Sequence, residues 1–593
     1  MMVKEKDYKE FFGNNKFSIF MVHSYGNKLL VRGRYENREP FNVVIEDFRP
    51  YFFYIDWKEK GIRDLSKIDY PLFERLEKLK IKVLNEPSEV PQVRDNPEYR
   101  LNYEADILYD MRFSIDIHSE YEKNLALNVL PRIWYIDIEV YNNHEIGIPQ
   151  YRSIRKEKYI NAISIYDNYN DEVITIINTE GIKDKDKVKA IPNYVELIDG
   201  YKTKVIKVSN EIELLDKFLD LIQEYQPDVI TGWNVLNFDI PYIFGRIYLH
   251  NDKDTNNLLK KYGYFTNYFL SRTNQFFGSI ENNQYVSFSS NEEVKLTKIF
   301  PTGIAILDYQ IIYKNMVNPK KPQYSLDFIV KEELGSEYGK VEYEGSLDSL
   351  YENNPELFIK YNATDTLLVY YIDKKNQFLG IYNELKNLSG ISIEYFQQDY
   401  TNKMLTGIFI RHLRKYGCAL RSRKNKEERK YEGAYVRPPR TGVWEWIVDL
   451  DASSLYPSAI LSLNISGDTF LFKIDESKEL IEKIRYYLIF NEDKFGISDK
   501  EIKIATQKFD FENNKFIFEI KKTTPKKLLK YLQEKINGKF TIAPNGAIFH
   551  TLNNGIIPDL QKELIKIRKQ YKDNMIKLSI LKNVIKEIIE KKN

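Results

Sequence analysis

Residues 133–141 read IWYIDIEVY. In an extended strand, residues two apart face the same side. Trp134, Ile136, Ile138 and Val140 therefore form one apolar face, while Asp137 and Glu139 share the other. Two carboxylates this close repel each other unless a cation lies between them. A D-x-E pattern on a solvent-facing edge would carry no message. The apolar flanks predict a buried strand instead, and a buried strand with two acids on one face predicts chemistry.

The surroundings alternate strand and helix. ELLDKFLDLIQEY (213–225) has helical period and stops before Pro227. DVITGWN (228–234) reads as a buried strand, and FDIPYIFGRIYLH (238–250) as a turn into a helix with Pro241 in its first turn. Residues 276–300 have a hairpin composition. ILDYQIIYKN (306–315) and PELFIKYNATDTLLVYYIDKKNQFL (355–379) look helical. Strands and helices alternating around Asp137, Asp239 and Asp365 predict an α/β domain. Ahead of it, FSIFMVHSYGNKLLVRGRY (17–35) and FNVVIEDFRPYFFYI (41–55) predict antiparallel strands, and PLFERLEKLKIKVL (71–84) a short helix. Behind it, a long helical pattern covers about 376–416. WEWIVDL (444–450) reads as a strand, SSLYPSAILSL (453–463) as a helix start and 558–592 as a helix, while 469–540 shows no clear pattern.

Composition narrows the chemistry. A chain of 593 residues with 43% hydrophobic content holds several packed domains. Cys418 is the only cysteine, which excludes internal disulfides, zinc ribbons and iron–sulfur clusters. Six histidines without metal-ligand spacing leave carboxylates to hold any ion, which favours magnesium or manganese. No apolar run reaches the ~18 residues of a membrane span, and MMVKEKDYKEFF at the N-terminus lacks a signal core. A soluble, intracellular protein without a membrane partner is expected. Net charge is only +2, but nine Lys/Arg between Arg411 and Lys430, and ten beyond Ile557, suit local phosphate tracks.

Taken together, D-I-E at 137–139, N-x-x-x-F-D at 234–239 and Y-x-x-x-D at 361–365 resemble the three exonuclease motifs of family B DNA polymerases. ILDYQIIYKN and PQYSLDFIV (322–330) stand at family-like positions between the last two. The resemblance implies a ribonuclease H-like 3′–5′ proofreading nuclease. Asp137, Glu139, Asp239 and Asp365 would hold two Mg²⁺ or Mn²⁺ ions, Tyr361 would position the attacking water, and Asn234 and Phe238 would contact DNA. DASSLYPS (451–458) resembles the first palm motif of the same family. It implies Asp451 as a catalytic metal ligand, again for a two-ion site, with Asp449 secondary. Ser454, Leu455 and Tyr456 would line the incoming dNTP. YEGAYV (431–436) resembles the element joining nuclease and palm, which places Tyr431 and Gly433 on DNA. APNGAIFHTLNNGIIPDLQKELIKIRKQYKDNM (543–575) resembles the first fingers helix of the T-even phage polymerases, with Arg568, Lys569 and Lys572 at the triphosphate.

The family's K-x-x-x-N-S-x-Y-G helix and D-T-D motif do not occur; the one T-D-T, at Thr364–Thr366, belongs to the third nuclease motif. Leu560, Leu564, Ile567, Leu578, Leu581, Ile585 and Ile588 form an apolar stripe on the last helix that wants a partner. The expectation is the N-terminal subunit or fragment of a family B polymerase acting on primer-template DNA in the cytoplasm, that of a host cell if the protein is viral. A C-terminal subunit would complete palm, fingers and thumb and carry the sliding-clamp contact. The expected domains are a β-rich domain at 1–130, the nuclease at 131–375, a helical return at 376–425, a partial palm with insertion at 426–540 and half of the fingers at 541–593. Two alternatives stay open: a stand-alone 3′–5′ exonuclease with a vestigial palm, and a non-catalytic DNA-binding assembly subunit.

Overall fold

The computed structural model describes residues 3–5, 8–58, 70–144, 158–250, 277–279, 299–301, 303–339, 341–396, 400–423, 436–448, 450–451, 454–510 and 515–592. Its contacts divide the chain into two compact units. One comprises Met1–Pro50, Asn85–Pro87 and Leu108–Arg411; the other comprises Tyr51–Leu84, Ser88–Ile107 and His412–Asn593.

The first unit is built on a seven-stranded mixed sheet. Its strands are β1 (Ile133–Val140), β2 (Ile160–Asp167), β3 (Glu172–Asn178), β4 (Tyr194–Glu196), β5 (Lys202–Val208), β6 (Val229–Gly232) and β7 (Ala305–Asp308), in the order β4-β5-β3-β2-β1-β6-β7. β1, β2 and β3 run antiparallel, and β6 lies parallel to both β1 and β7. Trp134, Ile136, Ile138 and Val140 all enter one core, as their alternation predicts. That core is covered by α1 (Glu211–Tyr225) and α2 (Asp239–Leu249). Asn210 caps α1 by accepting from the Glu213 amide, and Leu214, Leu215, Phe218, Leu219 and Ile222 supply its buried stripe. Glu211 accepts from Arg246 Nε of α2 at 2.7 Å and from the Ile160 amide of β2 at 2.8 Å, locking both helices to the sheet.

The opposite face carries α4 (Pro355–Asn376), which follows α3 (Tyr309–Met316) in the chain. Pro355 sits in the first turn of α4, and Asn354 caps it through the Leu357 amide. Tyr135 of β1 donates to Asp373 near the far end of α4 at 2.6 Å. The acid-bearing face of β1 therefore lies under α4, and the apolar face lies under α1 and α2. The expected hairpin at 276–300 is present as Phe277–Ser279 paired antiparallel with Ile299–Pro301; residues 280–298 lie outside the described residues.

Several local expectations change. PLFERLEKLKIKVL is not a helix but two strands, Phe73–Arg75 and Lys80–Val83, joined by one tight turn. Each pairs with a partner distant in sequence, Cys418–Leu420 and Tyr51–Tyr54. This pairing overrides the helix preference of Leu, Glu and Lys. The long helical stretch expected at 376–416 breaks into Phe378–Ser389 and Tyr400–Lys415. Gly390 ends the first piece at φ +69°, and a Cβ there would meet His118 Cβ at 2.9 Å. WEWIVDL forms no strand among its described residues. Val443 is 98% exposed, Trp446 97% and Leu450 89%. Trp446 takes φ +60°, which breaks an extended run there.

The unpatterned stretch becomes a packed layer in the second unit. After α5 (Leu455–Leu463) come β8 (Phe470–Ile474), α6 (Lys478–Phe490), β9 (Ile502–Asp510), β10 (Lys515–Thr523), α7 (Pro525–Ile536), β11 (Phe540–Ile542) and β12 (Ala547–His550). The sheet order is β10-β9-β8-β12-β11. Ile474, Ile481, Ile484, Leu488, Leu528, Leu532 and Ile548 form its core with α6 and α7. The terminal helix α8 (Ile556–Lys592) packs against α5. Leu560, Leu564 and Ile567 are half-buried on it, and the side chains of Leu578, Leu581, Ile585 and Ile588 lie outside the described residues.

Candidate functional site

Asp137 sits in the middle of β1 with Glu139 two residues on, both half-buried. Asp239 is the first residue of α2 and is buried. Its Oδ1 accepts from the Ile138 amide at 3.0 Å, so the third acid of the sequence pattern is tied to the backbone between the first two. α4 supplies the rest. Tyr361 and Asp365 lie within it one turn apart, which puts them on one helical face. YNATD is thus helix interior. Tyr361 is half-buried with its ring edge-on to Tyr343, and Asp365 is buried.

The link between α4 and β1 is a residue that motif reading passes over. Asn362 is fully buried and donates from Nδ2 to Asp137 Oδ2 at 2.7 Å. Its Oδ1 accepts from Ser164 Oγ of β2 at 2.5 Å. The only sequence signal was a polar residue directly after Tyr361 in YNATD.

Asp308 is a second such residue. It ends β7, caps α3 through the Gln310 and Ile311 amides, and also accepts from the amides of Asn234 and Leu236. One buried carboxylate therefore shapes the loop that delivers Asp239. Asn234 takes φ +68° in that loop, and Phe238 is half-buried against the core. An Asp directly after an apolar strand and before a helical pattern is a capping signal that could have marked it.

Burial disfavours charge on these carboxylates. Burial pushes Asp239 up to about 7, opposed by hydrogen bonds from the Ile138 amide and its own amide and reinforced by the neighbouring Asp308 carboxylate. Burial also raises Asp308, against the pull of its amide donors. Among the described residues, no three His, Cys, Asp or Glu side chains are gathered closely enough to hold an ion. Asp137, Glu139, Asp239 and Asp365 thus share a region but not a closed ligand shell. Carboxylates repel at short range, so drawing them together requires the charge of the ion itself. The donor set is all carboxylate oxygen, which fits a hard divalent cation of the magnesium or manganese class.

The second group of expected site residues is placed differently. Asp451, Ser454, Leu455 and Tyr456 are all exposed, the last two at 61% and 70%. Ser454 takes φ +53° at the start of α5. Arg568, Lys569 and Lys572 are exposed along α8. Asp449, Tyr431 and Gly433 lie outside the described residues. No helix among the described residues is long and apolar enough to cross a membrane.

Residues 88–329 match the family described as DNA polymerase family B, exonuclease domain, and residues 392–592 match DNA polymerase family B. The chain is 26% identical over 378 residues to the DNA-directed DNA polymerase of Escherichia phage RB69, covering 63% of this chain and 34% of that protein. It is 24% identical over 326 residues to the DNA-directed DNA polymerase of Enterobacteria phage T4, covering 53% and 34%. It is 27% identical over 456 residues to the DNA polymerase of Desulfurococcus sp. (strain Tok), covering 71% and 50%. The chain spans a third to a half of the length of these relatives. With both family matches lying in order along most of its length, the chain belongs to DNA polymerase family B.

Proposed function

We propose that the first unit is a 3′–5′ DNA exonuclease that trims primer ends with two Mg²⁺ or Mn²⁺ ions. The observation that carries this is the meeting of three elements at one place: Ile138 of β1 holds Asp239 of α2, and Asn362 of α4 holds Asp137 of β1. Asp137, Glu139, Asp239 and Asp365 would hold the ions. Such ions activate water and stabilise the departing 3′ oxygen. Tyr361, one turn before Asp365, would orient that water, and Asn234 and Phe238 would meet the DNA. The ribonuclease H-like fold is part of this proposal, supported by the antiparallel β3-β2-β1 meander continued by the parallel strands β6 and β7. The test is Asp137→Ala with Glu139→Ala on the full chain, assayed on a 5′-labelled oligonucleotide with Mn²⁺. Trimming should fall at least ~1,000-fold; trimming at the unmodified rate would refute the site.

We further propose that Asp451, Ser454, Leu455, Tyr456, Arg568, Lys569 and Lys572 are the first part of a nucleotide-addition site. Its remaining carboxylates would come from polypeptide outside these 593 residues, as in a split polymerase. Two-ion nucleotidyl transfer needs carboxylates on two neighbouring strands. DNA primer-template and dNTP are the substrates this reading implies.

A further inference from the structure

We infer that Asn362 is a positioning residue for Asp137, held in place by a one-way ladder of hydroxyls that crosses the sheet from Thr203. The inference rests on the nuclease reading and goes one layer behind its ligands. Four contacts make the ladder. Thr203 Oγ1 of β5 lies 2.8 Å from Thr175 Oγ1 of β3, and Thr175 Oγ1 lies 2.8 Å from Ser164 Oγ of β2. Ser164 Oγ lies 2.5 Å from Asn362 Oδ1, and Asn362 Nδ2 lies 2.7 Å from Asp137 Oδ2. Strand register puts Ser164 directly beside Asp137 and Thr175 directly beside Ser164, so all three share the face beneath α4. Thr203, Thr175, Ser164 and Asn362 are all at most 0% exposed.

Proton counting fixes the direction of every link. An ionised carboxylate only accepts, so the Asn362 amide must turn its NH₂ toward Asp137 and its carbonyl oxygen toward Ser164. Ser164 has one hydroxyl proton, which that carbonyl takes. Thr175 must then donate to Ser164, and Thr203 to Thr175. No hydroxyl can reverse without setting two acceptors face to face in a dry interior, where a lost hydrogen bond is expensive. The ladder therefore holds the Asn362 amide in one orientation, and the amide holds Asp137 Oδ2. This is the arrangement by which groups behind metal ligands set their affinity. A merely structural network would need no fixed end; this one ends on a ligand.

The test is Mn²⁺ binding to the full chain without DNA, by isothermal titration at constant pH, with thermal melts alongside. Asn362→Leu keeps the branched heavy-atom outline and removes both hydrogen bonds; it should weaken Mn²⁺ binding about 10- to 100-fold. Ser164→Ala, one link back, should weaken it by about threefold or more, and Thr203→Val, at the far end, by less than about twofold. In trimming assays, Asn362→Leu should need more Mn²⁺ for half-maximal rate yet regain most of the limiting rate at saturation. Wild-type Mn²⁺ affinity in a folded Asn362→Leu protein overturns the inference. If Asn362→Leu does not fold, wild-type affinity in Ser164→Ala overturns it. Asp137→Ala separates the two levels. If Asp137→Ala loses the ion while Asn362→Leu keeps it, the inference alone fails. If Asp137→Ala itself binds Mn²⁺ as the unmodified chain does, the nuclease reading fails and the inference falls with it.

Discussion

Asp308 shows how much of this site depends on residues that touch no substrate. Its buried carboxylate gathers amides from two segments, the Asn234–Leu236 loop and the start of α3. Asp308→Ala leaves those amides without an acceptor, and a buried unsatisfied donor costs ~1–3 kcal/mol. The expected loss is about 3 kcal/mol in urea unfolding of the first unit, followed by the fluorescence of Trp134 and Trp233. A loss below about 1 kcal/mol would contradict the role given to Asp308. At this scale the sequence was partly legible. Asp137, Glu139, Asp239 and Asp365 stand in local patterns whose spacing has direct geometric meaning on a strand, a helix start and a helix face. Asn362 and Asp308 are equally visible as letters. Their meaning depends on Ser164 and on the Asn234 loop, which lie far away in the chain, and no local spacing encodes those meetings.

At the scale of elements, the buried Lys386 ties the helix Phe378–Ser389 to the strand Phe17–Tyr25. It donates to Ser18 Oγ at 2.9 Å and to the Ile19 carbonyl at 3.0 Å. Burial pulls Lys386 down to about 7, only partly opposed by Glu384 and Asp228. In the unfolded chain it keeps its proton to about pH 10.4. Between those values the unfolded state binds the extra proton, so stability should rise as pH increases from about 7 toward 10. Below about 7 both states are protonated and the full penalty of burying the charge applies. Lys386→Met should remove this rise, seen as a urea midpoint no higher at pH 9 than at pH 6.5; a rise that survives the substitution would refute the assignment. Element types were legible where one face is buried and the pattern is long, as in β1, α1 and α4. They were misread at 71–84 and 444–450 because strands are made by partners. Phe73–Arg75 and Lys80–Val83 have such partners far away in sequence, and Val443–Leu450 has none among the described residues. Residues 469–540 were opaque because their strands alternate weakly, and their core is completed by α6 and α7 covering the sheet.

At the scale of the whole molecule, one unit carries a site with its carboxylates buried or half-buried, and the other carries Asp451 and its neighbours on an exposed surface. Family membership rests on the two family matches, and on the proposed reading function divides between the units. Trimming is expected of the chain as it stands. On the proposed reading, primer extension is expected only when a second set of carboxylates is supplied, and Asp451→Ala should then abolish extension while leaving trimming unchanged; extension that survives Asp451→Ala would refute the palm assignment. The central claim concerns the first unit: a divalent ion draws Asp137, Glu139, Asp239 and Asp365 into one shell. Crystals of the full chain grown with Mn²⁺ and a short single-stranded oligonucleotide, measured for anomalous scattering, test it most directly. The account predicts anomalous peaks ~2.0–2.3 Å from the Asp137 and Asp239 carboxylates, at ordinary hard-cation ligand distances. Peaks elsewhere, with those side chains still apart, would contradict it.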